Sequence, residues 1–145
     1  MTVVVYKNGI MAADSLVVDE TTALYHALKI FRLDDGGLIA TAGNGKECVA
    51  FRDFFLYNKE PIEDFEYKDF AGLWVRPDGS IYFCESHRHI DPVMDEYIAI
   101  GSGRGVAYGA LEMGASAEEA IRIACKYNVC CGEPITVLRL NDGKS

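Results

Sequence analysis

Short apolar runs joined by turn-forming residues constrain the fold of this chain more than any other feature. The β-branched run TVVVY precedes Asn8-Gly9, a pair typical of two-residue hairpin turns, and IMAADSLVVD then predicts a second strand covered on both faces. ALKIFRL and LIATAG flank DDGG, while FAGLWV and SIYFC flank RPDG, so each pair predicts another hairpin. The chain therefore predicts antiparallel strand pairs.

Helical periodicity occurs in three places. Apolar residues from Cys48 to Phe55 recur at helical spacing and predict a helix that ends near Asn58. A second helix is predicted over 102–113, and a capping box led by a serine predicts a third helix over 117–127. We expect these helices to cover the hairpins.

The remaining segments complete the predicted order of elements. YIAIG and ITVLRL predict strands, whereas residues 59–69 and ESHRHIDPVMDE lack a clear period and predict loops. NDGKS is predicted to be a polar tail. The resulting order, β-β-β-β-α-β-β-β-α-α-β, predicts an α+β protein in which helices cover antiparallel hairpins.

Length and composition bound the class of protein. With 145 residues, half of them hydrophobic, the chain is long enough for one domain, 1–145, with a sizeable core. A net charge of −8 argues against nucleic acids, because their phosphates require clustered Lys and Arg. MTVVVYKNG lacks the features of a signal peptide and no long apolar run exists, so we expect a cytoplasmic protein without a membrane partner. Five cysteines without CxxC spacing predict free thiols in a reducing compartment.

Two charged residues stand within or beside apolar runs, Asp14 in GIMAADS and Lys29 in KIFRL. A buried charge costs on the order of several kcal/mol unless it is paired, so we expect the two side chains to pair. One interpretation is an ordinary cross-strand ion pair at the edge of a sheet. The other interpretation connects the pair with the residue that follows the initiator methionine.

Thr2 follows a methionine that is normally removed before a small residue. Removal would expose an α-amino group with an unperturbed pKa of about 7.7–8.0, which suits a general base for the adjacent hydroxyl. A positive charge at Lys29 lowers the proton affinity of such an amine, and Asp14 compensates Lys29. Gly43, in the turn TAGNG between a strand and a helix, offers a backbone N–H to an oxyanion. These four residues predict a threonine nucleophile.

Three other motifs are weaker candidates. YIAIGSGRG could cradle a phosphate, but neither an acidic residue about twenty positions on nor GK[ST] follows, so a tight turn with Ser102 as N-cap fits better. A cysteine nucleophile at Cys130 or Cys131 has no local signature. A loop zinc site would use Cys84, His87, His89 and Asp91, but no second Cys/His pair completes it. We therefore expect no metal and no cofactor.

Taken in order, TVVVY, GIMAADS, KIFRL, LIATAGNG, IGSGRG and CCGEPITVLRL make the chain resemble N-terminal-nucleophile (Ntn) hydrolases of the proteasome β-subunit and HslV class. The resemblance implies a four-layer αββα sandwich of antiparallel sheets, assembly into rings and hydrolysis of peptide bonds without metal or cofactor. The nucleophilic threonine of the family falls on Thr2, its acid on Asp14 and its lysine on Lys29. Its oxyanion-hole glycine falls on Gly43 and the supporting serine of its GSG motif on Ser102.

Three departures from the family pattern keep a second function open. Residues 59–69 are too short and irregular for the second helix of the family, so one outer helical layer is expected to be reduced. Asn128 and Cys131 replace the late aspartate and serine that support the nucleophile, and Asn carries no charge. The first hairpin is also a few residues tighter than usual, which could shift Thr2 relative to Asp14.

Two main expectations follow. The first is a threonine-type endopeptidase that acts on peptides or unfolded proteins inside a homo-oligomeric ring, with or without an unfoldase partner. The second is a catalytically silent, proteasome-like assembly or binding module. Hydrolysis of a small-molecule amide is a third idea, since the same nucleophile serves that chemistry.

Overall fold

The computed structural model describes residues 2–143, which form eleven β-strands, three α-helices and a short 3₁₀ helix. The strands are β1 Val4–Lys7, β2 Ile10–Ala13, β3 Leu16–Asp19, β4 Thr22–His26, β5 Ile30–Arg32, β6 Leu38–Gly43, β7 Phe70–Val75, β8 Ile81–Cys84, β9 Ile90–Val93, β10 Tyr97–Ile100 and β11 Thr136–Arg139. The helices are α1 Gly45–Tyr57, α2 Arg104–Glu112 and α3 Ala117–Tyr127, and the 3₁₀ helix is Leu140–Gly143.

The strands form three antiparallel sheets. The four-stranded sheet has the order β10-β1-β2-β11, and the five-stranded sheet has the order β5-β6-β7-β8-β9. Strands β3 and β4 form a two-stranded sheet of their own. This arrangement confirms the predicted α+β class with antiparallel hairpins.

The first hairpin brings the start of the chain beside Asp14. Asn8 and Gly9 have φ angles of 53° and 77°, so both turn residues adopt the positive φ that an Asn-Gly hairpin turn requires. Strand register then places Val4 opposite Ala13, and the next N–H, that of Asp14, donates to the carbonyl oxygen of Val3 at 3.2 Å. The tight turn therefore keeps residues 2 and 3 close to Asp14.

Three apolar clusters make up the core. Val4 and Tyr6 of β1 pack with side chains of β6 and β7 in a cluster between the two larger sheets. Val3 and Val5 point to the opposite face, as alternation along a strand requires, and pack with α2 and α3. The third cluster is centred on Phe51 of α1 and contains side chains of the five-stranded sheet. Both larger sheets are thus covered on two faces.

The prediction of one strand over 10–19 is wrong, because the chain leaves the four-stranded sheet after Ala13. There the carboxylate of Asp14 turns toward the backbone N–H groups of Val3 and Gly132. The next residues form β3, which pairs with β4. The side chains of β4, TALYH, are exposed throughout. Apolar and polar residues do not alternate in this segment, so its sequence lacks the pattern by which a strand is recognised.

Two other strand predictions also differ from the structure. The predicted strand ALKIFRL is reduced to Ile30–Arg32, and the side chain of Lys29 just before it is bound to Asp14. The predicted loop ESHRHIDPVMDE contains β9, an edge strand that pairs only with β8. An edge strand tolerates Pro92, since a proline lacks the N–H that a central strand needs for its second neighbour.

The helices agree closely with the prediction. Helix α1 ends at Tyr57 with Asn58 in the left-handed conformation at its C-cap, and α3 has the predicted capping box of Ser116 and Glu119. Helix α2 differs at its start, where Gly103 occupies the N-cap position without a side-chain cap. Ser102 is therefore not the N-cap, and its hydroxyl has another partner.

The first three residues of the predicted polar tail lie in the 3₁₀ helix. The last two residues of the tail are outside the described range. Within residues 2–143, none of the helices combines the length and apolar character that crossing a membrane requires.

Candidate active site

The predicted ion pair of Asp14 and Lys29 is present and buried. Lys29 Nζ lies 2.9 Å from Asp14 Oδ1, with side-chain exposures of 8% and 0%. Asp14 Oδ1 also accepts from Val3 N at 3.0 Å, and Asp14 Oδ2 accepts from Gly132 N at 3.1 Å. Lys29 Nζ donates a further hydrogen bond to the carbonyl oxygen of Leu16 at 2.7 Å. These additional bonds are what allow both charges to be buried, because a buried pair needs its remaining donors and acceptors satisfied.

The position of this pair excludes the cross-strand interpretation. Asp14 follows β2, which lies inside the four-stranded sheet, and Lys29 precedes β5 of the five-stranded sheet. The carbonyl oxygen of Lys29 accepts from Thr41 N of β6 at 3.0 Å. The ion pair therefore connects the two larger sheets.

Thr2 is held in place by its backbone. Its nitrogen donates to Ser102 Oγ at 3.3 Å, and its carbonyl oxygen accepts from Gly103 N at 3.1 Å. At Gly101, where φ is +97°, a Cβ atom would lie 2.1 Å from the carbonyl oxygen of Thr2, so only glycine fits there. The side chain of Ser102 is thus used by residue 2, which explains why it does not cap α2.

Thr2, Lys29, Gly43 and Ser102 line one cavity of about 800 Å³. Asp14 does not line it and contacts it through Lys29. The other walls include polar and apolar side chains, among them Tyr25, Leu28, Phe31, Thr41, Cys48 and Arg52. A concave site with mostly apolar walls and a few convergent polar groups has the general character of a ligand pocket.

Gly43 is placed as the sequence predicts, at the end of β6 and just before α1. Its φ is +112°, and a Cβ atom here would lie 2.2 Å from the carbonyl oxygen of Asp69. The next residue, Asn44, caps α1 with its side-chain oxygen. Close backbone approach therefore requires glycine at the cavity wall.

Cys131 contacts the candidate site, whereas the bonds of Asn128 are local. Asn128 Oδ1 accepts from Cys130 N at 2.9 Å and shapes the turn after α3. Cys131 is buried and its thiol forms a hydrogen bond with Ser102. Burial, with a further contribution from the Asp14 carboxylate, raises the pKa of Cys131 to about 11, so the thiol is neutral at pH 7. A thiolate nucleophile at this position is therefore disfavoured.

The residues of the zinc alternative are divided between the core, where Cys84 lies, and a second cavity lined by His87 and His89. Cys84 packs in the cluster beneath α1, where burial raises its pKa to about 12. His87 Nδ1 lies 3.1 Å from the hydroxyl of Tyr67. In the described part of the chain, no three His, Cys, Asp or Glu side chains are grouped so that they could hold a metal ion. The second cavity, of about 430 Å³, lies between residues 61–68 and 85–89 and contains none of the predicted catalytic residues.

Several parts of the site were not predicted. The N–H groups of Val3 and Gly132, which bind the Asp14 carboxylate, and the carbonyl of Leu16 are backbone groups, which leave no residue-type signal in a sequence. The one available hint was glycine in CCGEP just before the last strand. A Cβ atom at Gly132 would lie 3.0 Å from the side chain of Leu16.

Comparison with known proteins shows the fold of this chain but no family. No protein-family model and no curated protein matches it. A solved structure of Thiobacillus denitrificans BPH in complex with epoxomicin is similar, with a TM-score of 0.66 and 20% sequence identity over 97% of this chain and 98% of that chain. A second structure of Thiobacillus denitrificans BPH has a TM-score of 0.64 and 19% identity over the same shares. The chain and BPH therefore have a similar overall fold.

Proposed function

We propose that this chain is a threonine-type peptidase whose nucleophile is Thr2 after removal of Met1. The observation that carries the proposal is the position of the Thr2 nitrogen. This nitrogen lies 3.3 Å from Ser102 Oγ in the cavity that also contains Lys29, and Lys29 is held by the buried Asp14 carboxylate. Met1 itself is outside the described residues.

The packing of the elements supports the Ntn-hydrolase fold for this proposal. Helices α2 and α3 pack on the outer face of the four-stranded sheet, and α1 packs on the outer face of the five-stranded sheet. The two sheets share an apolar cluster between them. We infer a four-layer αββα sandwich in which the layer of α1 is reduced, because residues 59–69 contribute no helix.

Each residue has a role in the proposed mechanism. Thr2 Oγ1 attacks the carbonyl carbon of the peptide bond while the α-amine takes the hydroxyl proton, directly or through a water. The Lys29 ammonium disfavours the protonated amine, and Asp14 fixes the direction of Lys29. The Gly43 N–H stabilises the oxyanion, and Ser102 orients the amine. The amine returns its proton to the leaving nitrogen, and water then hydrolyses the ester formed at Thr2.

The substrate and the assembly are part of the proposal. A cavity with extended apolar walls suits segments of unfolded polypeptide, and a homo-oligomeric ring would restrict access to such segments. Because the BPH structure contains epoxomicin, we propose that epoxomicin also binds this cavity. A covalent reaction would require both the hydroxyl and the freed amine of Thr2 if an electrophile engages the two groups together.

A catalytically silent assembly or binding module is the second candidate. It is favoured by one observation, the neutral character of the group beside Ser102 and of Asn128. Cys131 provides a neutral thiol there, and Asn128 is used by the turn, so neither supplies the charge that would support a protonated amine. In this candidate, the cavity binds polypeptide without cleaving it.

One set of measurements separates the two candidates. The intact mass of protein isolated from its native host tells whether Met1 is absent. Cleavage of a peptide panel is then compared for the natural chain, Thr2→Ala and Thr2→Ser, with Thr21→Ala as a matched control because Thr21 is exposed on the turn before β4.

We expect Thr2→Ala to abolish cleavage and epoxomicin adduct formation, and Thr2→Ser and Thr21→Ala to retain both. Serine keeps a hydroxyl beside the amine, whereas alanine removes the nucleophile. Quantitative retention of Met1, or undiminished cleavage by Thr2→Ala, would rule out the peptidase mechanism in favour of the silent module.

A further inference from the structure

Helices α1 and α3 use the same glutamate position in different ways. In α3, Glu119 is the third residue of the helix, and its carboxylate accepts from the N–H of the N-cap residue Ser116 at 2.9 Å. In α1, Glu47 is also the third residue, after the N-cap Asn44. The carboxylate of Glu47 binds a distant segment of the chain instead of the N–H of Asn44, so α1 has no complete capping box.

Glu47 binds the end of the loop that precedes β7. Its Oε1 atom accepts from the backbone N–H of Lys68 and, at 2.9 Å, from that of Asp69. The residue is 6% exposed, although it carries a carboxylate. A buried carboxylate with two backbone donors gives strong, charge-assisted bonds and fixes those donors in position. Glu47 is therefore the anchor of residues 68 and 69 on the first turn of α1.

Asp69 connects this anchor with the Gly43 turn. Its N–H is bound by Glu47, and its carbonyl oxygen accepts from Asn44 N at 2.7 Å. The same carbonyl oxygen lies where a Cβ atom of Gly43 would be 2.2 Å away, and Gly43 and Phe70 are register partners. The peptide groups on both sides of Gly43 are thus confined by a residue that Glu47 holds.

We propose that Glu47 is a positioning residue that orients the N–H of Gly43 for an oxyanion, acting through the backbone of Asp69. The inference rests on the proposed function, in which the Gly43 N–H is the oxyanion donor. Both Gly43 and Asp69 line the cavity, whereas Glu47 does not. Glu47 therefore acts on the reaction without touching the substrate.

The test uses three substitutions at Glu47 and one matched control. Glu47→Ala removes both acceptor bonds, Glu47→Asp retracts the carboxylate, and Glu47→Gln keeps an oxygen that accepts from both N–H groups. Glu119→Ala removes the equivalent carboxylate of α3, which is exposed and does not line the cavity. It controls for the loss of a helix-start glutamate in general.

Two readouts are measured on the intact protein. Hydrogen exchange, followed by mass spectrometry, reports the amides of residues 44, 68 and 69. Peptide cleavage is measured over a range of substrate concentrations so that kcat and KM are obtained separately. The two must be separated because loss of an oxyanion contact lowers kcat while ground-state binding is retained. Loss of a whole oxyanion donor lowers kcat by about 10²–10³-fold, so displacement of one is expected to lower it at least about tenfold.

We expect Glu47→Ala to accelerate exchange at these amides and to lower kcat with KM changed less than about twofold. Glu47→Gln should restore both values, and Glu119→Ala should change neither. If the alanine variant fails to fold, Glu47→Asp carries the same test. An active natural chain with unchanged kcat in the Glu47 variants overturns the positioning role alone. An inactive natural chain removes the proposed function and, with it, this role.

Discussion

Removal of the Asp14 charge is expected to destabilise the protein more than removal of its partner. Asp14→Asn keeps the shape of the side chain but replaces the carboxylate that faces the buried ammonium of Lys29 by a neutral amide. Loss of one partner of a buried pair costs about 3–5 kcal/mol. In Lys29→Met the remaining carboxylate keeps the N–H donors of Val3 and Gly132, so the loss should fall below that range.

The double variant Asp14→Asn/Lys29→Met provides the sharper test. This variant removes both the carboxylate and the ammonium, so neither charge is left buried without the other. It should therefore be more stable than Asp14→Asn alone, although it carries a second substitution. Urea unfolding at pH 7 and at one fixed protein concentration gives the free energies of unfolding for the cycle. Additive losses, or a loss of less than about 1 kcal/mol in Asp14→Asn, would refute the argument that pairing stabilises these charges.

Two further predictions concern backbone packing and pH. Gly101 and Gly114 have nearly the same φ, 97° and 98°, but only at Gly101 would a Cβ atom meet the carbonyl oxygen of Thr2. Gly101→Ala should therefore lower the free energy of unfolding by well more than the about 1–2 kcal/mol expected for Gly114→Ala. Equal losses for the two variants in thermal melts would contradict this. Burial lowers the pKa of His87, so the unfolded chain binds more protons as pH falls below about 6.5, and stability should decrease from pH 7 to 5. In urea titrations at the two pH values, His87→Phe should reduce the loss of unfolding free energy between pH 7 and pH 5. An equal loss in the natural chain and in this variant would show that other groups cause the pH dependence.

The sequence predicts correctly those turns and helix ends that depend on interactions between neighbouring residues. The Asn8-Gly9 turn, the end of α1 at Asn58 and the capping box at Ser116 each depend on a few neighbouring residues, and all were predicted correctly. The pairing of Asp14 with Lys29 was also predictable, because a buried charge in an apolar run requires a partner.

Features that depend on distant parts of the chain were not predicted. At the break after Ala13, the Asp14 carboxylate accepts from the N–H of Gly132, which is 118 positions away. The use of Ser102 by the Thr2 nitrogen, 100 positions away, likewise overrides the local preference of serine for a helix cap. Strand β9 was missed because its pairing with β8 outweighs the unfavourable Pro92, which an edge strand accommodates.

The interior position of β1 has a practical consequence for anyone who produces this protein. Residue 2 is 7% exposed and lies in the cavity wall, so an affinity tag or fusion partner left on Thr2 would be attached to that wall and would block the proposed amine. At the other end, Asn141 and Asp142 are exposed on the 3₁₀ helix. Purification handles and fluorescent labels therefore belong at the carboxyl end.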